Sequence, residues 1–337
     1  MTFAIPPQPH NDADLSTRVR AAAERLVDDL GRAERLTGGW ADVRLGDALV
    51  DDALGRCLAA LADTGCWGEA NRLSSSALWR VAGPVLRRGS LQEHARLKPR
   101  GYAGDYQLLT RIWDQSCCVD PLGAAFDRYF LRQAAPAAVR SRTRQTAMAL
   151  AAHRLESAED DYHIVSIGAG PAIDVAEGLA VLPDRSRRSV RVTLLDLDPD
   201  SLEAARVRVE PLLSAGSLRC VRVNLSRLVN SPDAPATLDR PNLLICSGLF
   251  DYLDDASATA MLDLFWRQLA PGGRILVGNF APHTPTRAYM EWIGNWYLTY
   301  RTVEQLWRIG SESGIPSESF AIGSEPLGID LFLIAWK

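Results

Sequence analysis

From Ala13 to about Leu155 apolar residues recur at intervals of three and four among charged ones, the spacing that lines one face of a helix. It predicts helices over Arg18 to Leu36, Leu45 to Ala62 and Ala70 to Ala82, the third ended by Gly83-Pro84. Two more are predicted over Asp105 to Ser116, capped by the Gly104-Asp105 pair, and over Pro121 to about Leu155. The pattern changes at Asp160-Asp161. Beyond it come short apolar or β-branched runs at Ile164 to Ile167, Val190 to Leu195, Leu218 to Val223, Leu243 to Cys246 and Arg274 to Val277. Helical segments at Ile173 to Ala180, Ser201 to Val209 and Ala256 to Leu269 separate several of them. Buried strands alternating with helices predict an α/β fold with a doubly wound, mostly parallel sheet. Phe320-Ala-Ile and Asp330 to Trp336, joined by a turn over Gly323 to Gly328, add a terminal antiparallel hairpin and bring the sheet to seven strands. The organisation read from this pattern is a tail over 1–12, an all-helical N-terminal domain with a lid over 13–158, and a sheet domain over 159–337.

Ile164-Val-Ser-Ile-Gly-Ala-Gly-Pro-Ala-Ile-Asp174 places a buried strand, a glycine turn and a helix start in one short run. Gly168 and Gly170 tolerate positive φ and put no Cβ against a ligand, while Pro171 suits the first turn of a helix. Backbone N–H groups there face whatever polar or anionic group sits above the strand end. A dinucleotide fingerprint asks for a third glycine where Ile173 stands, so the turn suits a nucleoside without a pyrophosphate, S-adenosylmethionine above all.

The second strand run ends in Asp196, placed to accept hydrogen bonds from ribose hydroxyls beside the glycine turn, with Asp198 or Asp200 capping the next helix. Asn224 closes the third run, where its amide oxygen can accept from an adenine amino group. The fourth ends in Cys246-Ser-Gly-Leu-Phe-Asp-Tyr-Leu253. There Gly248 permits close backbone approach, and Phe250, Asp251 and Tyr252 sit over the cofactor or, for the two aromatics, in the core.

Bulk composition narrows the classes. The chain has 337 residues, 47% hydrophobic and 23% charged, with a net charge of −4, which provides no overall positive field for nucleic acid or an anionic membrane. The basic run Arg185 to Arg191 reads as a solvated loop. No stretch approaches the ~20 apolar residues of a membrane span, and Met1-Thr-Phe-Ala-Ile-Pro-Pro lacks a signal-peptide pattern, so a cytoplasmic location is expected. The six cysteines, at 57, 66, 117, 118, 220 and 246, form no CxxC pair; small buried thiols are expected, with no zinc site, no other metal and no disulfide framework.

Taken with the Leu269-Ala-Pro-Gly-Gly273 loop before the fifth strand, Gly168 to Gly170 and Asp196 make residues 164–337 resemble a class I S-adenosylmethionine-dependent methyltransferase domain. Lys98-Pro-Arg-Gly-Tyr-Ala-Gly-Asp-Tyr106, Ser247-Gly-Leu-Phe-Asp-Tyr252, Gly278-Asn-Phe280, Met290-Glu-Trp292 and Trp296-Tyr-Leu-Thr-Tyr-Arg301 extend the resemblance over about 90–337. These segments resemble the bacterial group associated with extracellular-factor 3-hydroxypalmitic acid methyl ester biosynthesis. The resemblance implies a methyltransferase-type Rossmann-like fold and methyl transfer from S-adenosylmethionine to a small natural-product or fatty-acid-like acceptor, leaving S-adenosylhomocysteine. A small-molecule substrate is the expected partner, with a homodimer as the expected assembly and, from charge and hydropathy, no nucleic-acid partner and no membrane insertion.

Cofactor contacts are accordingly expected at Gly168, Ala169, Gly170, Asp196 and Leu197, at Asn224 and Leu225, and at Ser247, Gly248 and Leu249. Arg100 to Tyr106 reads as a clamp over the methionine end, with Arg100 near a carboxylate and Tyr102 or Tyr106 facing the sulfonium; its bland counterpart is a glycine-rich connector. Tyr102, Asp105, Asp251 and Tyr252 are the catalytic candidates. A stripe at 289, 292, 296 and 300 on one helical face reads as packing core, with Glu291, Trp292, Trp296, Tyr300 and Arg301 as substrate candidates. His94, His153, His163 and His283 are scattered, and only His94 lies close to the clamp. The rival activity is cyclisation of S-adenosylmethionine on itself, giving azetidine-2-carboxylate or 1-aminocyclopropane-1-carboxylate and methylthioadenosine. The other class is a non-catalytic adenosylmethionine sensor.

Overall fold

The structure is a computed structural model that describes residues 12–229, 231 and 233–337. The chain divides into two compact units, one of 12–103, 116–133 and 286–297, the other of 104–115, 134–285 and 298–337. The predicted tail lies outside the described residues apart from its last position.

The first unit holds α1 (Asp12–Leu36), α2 (Val43–Ala62), α3 (Arg72–Leu86), α4 (Ser90–Leu97) and α6 (Pro121–Arg132), while α5 (Tyr106–Trp113) belongs to the second. Helix α1 buries Val19, Ala22, Ala23, Leu26, Leu30 and Ala33; α2 buries Val50, Ala53, Leu54, Cys57, Leu58 and Leu61. Both sets step by three and four, so each helix turns one apolar stripe inward. The N-caps are local: Asp42 accepts the Leu45 N–H at 3.0 Å and Asp120 the Gly123 N–H at 2.7 Å. Helix α3 runs past its expected stop, because Pro84 sits in the last turn, where it forfeits one backbone bond while fully buried Leu86 anchors the end.

The long helix expected from Pro121 to Leu155 is two helices, α6 and α7 (Ala134–Glu156). Gln133 between them is extended, at φ −68° and ψ 159°. Pro136 explains the break. In a continuous helix its ring would clash with the Arg132 carbonyl, whereas in the first turn of α7 its missing N–H has no intrahelical partner to lose. One of the boundaries between the interleaved units therefore falls after Gln133, and α7 belongs with the sheet. A Cβ on Gly178 would lie 2.9 Å from the Ala147 carbonyl, a measure of how closely α7 approaches the helix after the first strand.

The second unit is a seven-stranded sheet of order β3-β2-β1-β4-β5-β7-β6. Its strands are β1 (Tyr162–Ile167), β2 (Val190–Asp196), β3 (Leu218–Arg222), β4 (Leu243–Cys246), β5 (Arg274–Phe280), β6 (Phe320–Ser324) and β7 (Asp330–Trp336). Ile164 pairs with Val192 on one side and Leu243 on the other, both parallel. Strand β7 runs antiparallel between β5 and β6, with Gly278 opposite Phe332 and Ile322 opposite Leu333. The doubly wound sheet with its terminal hairpin is thus as the sequence pattern predicts.

Successive residues feed opposite faces. Ile164, Leu194, Leu243 and Ile245 pack with α7, α8 (Ile173–Ala180) and α10 (Pro199–Val209), α9 being the single turn Asp184–Arg187. Val165, Leu195, Leu244 and Cys246 pack with α11 (Leu225–Leu228), α12 (Ala234–Leu238), α13 (Asp255–Gln268) and α14 (Val303–Glu312). Strand β3 is an edge, and its Cys220 is exposed, as is Cys117; only Cys57, Cys66 and Cys246 are the buried thiols expected of all six. Among the described residues no helix is long and apolar enough to cross a membrane.

The stripe at 289, 292, 296 and 300 does not lie on one helix. A π-helical turn over Tyr289–Ile293 is followed by irregular chain, with Asn295 at φ 50°. Tyr289, Trp292 and Trp296 are buried in the helical unit, whereas Tyr300 belongs to the sheet unit. The turn is held by hydrogen bonds that sequence spacing does not reveal: Ser75 to the Trp292 carbonyl (2.9 Å), Trp79 to the Ile293 carbonyl (3.0 Å) and Tyr289 to Gln92 (2.6 Å).

Candidate active site

Strands β1 and β4 are neighbours, yet α8 after β1 and α13 after β4 pack on opposite faces. Their departure opens a crevice at the carboxyl ends of the two strands, the usual ligand position in such sheets. The turn Gly168-Ala169-Gly170 lies there. Gly168 and Gly170 take φ of 61° and 53°, and Ala172 takes 48°. A Cβ on Gly168 would stand 3.6 Å from Leu225 and 3.8 Å from Leu249, so the ends of β3 and β4 flank the turn. A Cβ on Gly170 would stand 3.6 Å from Leu109 of α5, the helix into which the expected Arg100 to Tyr106 clamp leads.

Asp196, at the end of β2, is buried and fixes this turn. Its Oδ2 accepts the Gly170 N–H at 2.9 Å, and its Oδ1 accepts the Asp198 N–H at 2.9 Å. The Ala169 N–H reaches the Leu195 carbonyl at 3.0 Å. Asp198 caps α10 by accepting the Asp200 N–H at 3.0 Å, as expected of one of those two acids. Leu197 and Asn224 are exposed and Leu225 is buried beside the turn.

A second group stands directly behind the end of β4. Arg142 of α7 places Nη1 2.8 Å from Asp330 Oδ2 and 3.6 Å from Asp251 Oδ2. A Cβ on Gly248 would meet Arg142 Nη2 at 3.4 Å, and Ser247 donates to Asp174 Oδ2 at 2.9 Å. Asp251 Oδ1 accepts from Asn279 (3.0 Å) and from the Phe280 N–H (2.7 Å). Burial pushes the Asp251 carboxyl up to about 6 against the pull of Arg142, and Asp330 up to about 8. Burial also raises Asp174, against its bond from Ser247. Sequence spacing missed Arg142, Asp174 and Asp330. For Asp174 and Asp330 the visible signal was a charge beside an apolar run, as with Asp330 opening the run Asp330 to Trp336, whereas Arg142 is hidden among the arginines of Arg140-Ser-Arg-Thr-Arg144.

The other expected site residues divide. Ser247, Gly248 and Leu249 lie at the end of β4 beside the turn, and Tyr252 is 45% exposed. Phe250 is fully buried against Phe265 and is a core aromatic. Asp251 is itself buried, so it lies within the charge cluster instead of standing over a ligand. Asp105, expected among the catalytic groups, is the buried N-cap of α5: its Oδ1 accepts the Gln107 and Leu108 N–H groups, each at 3.0 Å. Tyr106 opens α5 in the sheet unit, whereas Arg100 and Tyr102 belong to the helical unit.

The substrate candidates are largely structural. Glu291 is buried and accepts from the Gly68 N–H (2.7 Å), Asn71 (3.2 Å) and Arg287 (2.7 Å). Trp292 and Trp296 are buried core of the same unit. Arg301 is 1% exposed and donates to Asp255, Asn279 and the carbonyls of Phe250 and Leu253. His153 pairs with Tyr162 and the Gly272 carbonyl, and His163 with Thr193 and the Asp239 carbonyl; burial lowers the pKa of both.

No protein-family model and no curated protein matches the sequence. Solved structures do share its shape. A possible exported protein from Bordetella parapertussis is 19% identical, with a TM-score of 0.57 over 99% of each chain. The CurJ carbon methyltransferase is 14% identical, with a TM-score of 0.50 over 96% of this chain and 92% of its own. At such identities the likeness is one of fold, and the fold is the methyltransferase-type Rossmann-like sheet accompanied by a helical N-terminal region.

Proposed function

We propose that this chain binds S-adenosylmethionine over the Gly168-Ala169-Gly170 turn and is a methyltransferase acting on a small natural-product or fatty-acid-like acceptor. The observation that carries the reading is the bond from Gly170 to Asp196, which sets a glycine turn beside a carboxylate at the β1/β4 crevice. The residues fit an adenosyl group. Two positive-φ glycines leave the end of β1 bare, and Asp196 Oδ1, with one N–H bound, retains acceptor capacity for a ribose hydroxyl. Leu197 and Leu225 offer apolar contact to an adenine ring, and the Asn224 amide oxygen accepts from its amino group. Ser247, Gly248 and Leu249 form the opposite wall.

When bound, S-adenosylmethionine supplies a methyl group activated by its sulfonium. The chain's own share is to orient the two reactants and exclude water. Leu109 of α5 against Gly170 serves the second purpose, and Tyr252 offers its hydroxyl to an acceptor at the end of β4.

Calorimetric titration with S-adenosylmethionine and S-adenosylhomocysteine, followed by mass spectrometry of the protein incubated with S-adenosylmethionine alone, tests the reading. Both ligands bind and the cofactor stays intact without an acceptor if the reading is right. Absence of binding would remove it, and methylthioadenosine formed at enzymatic rate would replace methyl transfer by cyclisation.

A further inference from the structure

Three carboxyl groups share one guanidinium behind the end of β4. Arg142, Asp174, Asp251 and Asp330 are each at most 8% exposed. Asp330 is faced by Arg142 from α7, Asp251 from the turn after β4 and Glu325 from the turn between β6 and β7, while Asp174 of α8 and Tyr252 act on the same Arg142. Glu325 is occupied by the backbone N–H groups of Leu327, Ile329 and Asp330. Arg301 reaches the cluster through Asn279, its other donors being spent on Asp255 and two carbonyls. Arg142 is therefore the counter-cation to three acids, and together they carry more negative than positive charge if all ionise.

The proton that balances this excess has one natural seat. Asp251 Oδ1 receives two hydrogen bonds and Asp174 Oδ2 one, whereas fully buried Asp330 has Arg142 Nη1, 2.8 Å from its Oδ2, as its facing donor, a cation it shares with the other two acids. A buried carboxylate whose counter-cation is divided among three acids is costly, and protonation lowers that cost. Burial pushing Asp330 up to about 8 agrees with this geometry. The cluster also borders the crevice, since only the missing Cβ of Gly248 separates Arg142 from the β4 end and Ser247 is bonded to Asp174.

Resting on the cofactor reading above, we propose that Asp330 is a buried proton donor that gauges the charge of the ligand in the crevice. Its proton leaves when a sulfonium cation is seated there and stays when the neutral thioether product is seated. The chain then favours the charged cofactor over the uncharged product, and the preference strengthens as pH rises.

Titration calorimetry of the full chain in two buffers of different ionisation enthalpy, at pH 7.5, counts the protons released by S-adenosylmethionine and by S-adenosylhomocysteine. Asp330→Asn is measured beside the wild type, and because the ligand's amine titrates alike in both proteins, the difference isolates Asp330. The expected result is greater proton release with the sulfonium ligand in the wild type, a rise in its relative affinity of up to about tenfold per pH unit toward pH 8, and loss of both effects in Asp330→Asn. Equal release with the two ligands in the wild type overturns the inference without any variant. So does an Asp330→Asn protein that keeps the difference. Failure of either ligand to bind instead overturns the cofactor reading and this inference with it.

Discussion

Asp196 Oδ2 accepts the Gly170 N–H at 2.9 Å, so the acidic end of β2 and the second glycine of the turn after β1 form one preorganised piece. Its other oxygen holds the Asp198 N–H, which starts α10. Asp196→Ala leaves both backbone donors without this acceptor. The expected cost is about 1–3 kcal/mol of stability, with S-adenosylmethionine affinity falling roughly 10-fold to 100-fold. Calorimetry and urea unfolding of the same preparation check the two effects. Unchanged affinity in a destabilised protein would confine Asp196 to the turn.

Gly168→Val separates the ligand's need for space from the fold's. The position has φ of 61°, a conformation that disfavours a β-branched side chain by about 1–3 kcal/mol. Around it, the nearest atoms to a Cβ are at 3.6 and 3.8 Å, ordinary contact distances. The variant is therefore expected to fold with a native circular dichroism spectrum and a lowered Tm, and to lose cofactor binding beyond calorimetric detection. Retained binding would show that no ligand approaches the turn at this point.

Much of this was legible in the sequence, because strands buried on both faces and a glycine turn between strand and helix are local signals. Ile173 to Ala180, Leu243 to Cys246 and Asp330 to Trp336 coincide with observed elements at both ends. What was not legible depends on contacts distant in sequence. Pro136 breaks the α6–α7 helix, but only the structure shows α7 joining the sheet. The aromatic stripe after β5 has helical spacing, yet Ser75, Trp79 and Gln92 hold it in a π-turn from 197 to 217 residues away. Asp105 and Arg301 looked chemical because they are charged residues among aromatics; Asp105 accepts backbone N–H groups, and Arg301 donates to two carbonyls, Asp255 and Asn279, partners which composition does not display.

Asp330 predicts an unusual dependence of stability on pH. Burial raises its folded-state pKa to about 8, well above the ordinary carboxylate range. Its contribution is therefore fully present below about pH 4 and is lost as pH rises toward 8, at up to about 1.4 kcal/mol per unit. Asp330→Asn removes this slope. Relative to wild type it is expected to gain stability between pH 5 and pH 9, read as urea midpoints with unchanged m-values. Parallel pH profiles for the two proteins would mean that Asp330 is ionised in the folded chain at neutral pH.

Arg301 was a substrate candidate from sequence, and the structure makes it a brace. Its guanidinium donates to the Phe250 carbonyl at 2.7 Å, the Leu253 carbonyl at 2.6 Å, Asn279 Oδ1 at 2.6 Å and Asp255 Oδ1 at 2.9 Å. These bonds tie the turn after β4 to β5 and to the start of α13. Arg301→Ala leaves two carbonyls and an amide oxygen without this donor in a nearly water-free site, and the expected loss is about 3–5 kcal/mol. Arg301→Lys supplies charge but not the planar fork, so it is expected to recover only part. The decisive comparison is cofactor affinity against unfolding free energy: a brace lowers stability and leaves affinity near wild type at temperatures where the variant stays folded. A substrate-binding arginine would instead raise KM in a protein of native stability, and that outcome would return Arg301 to the active site.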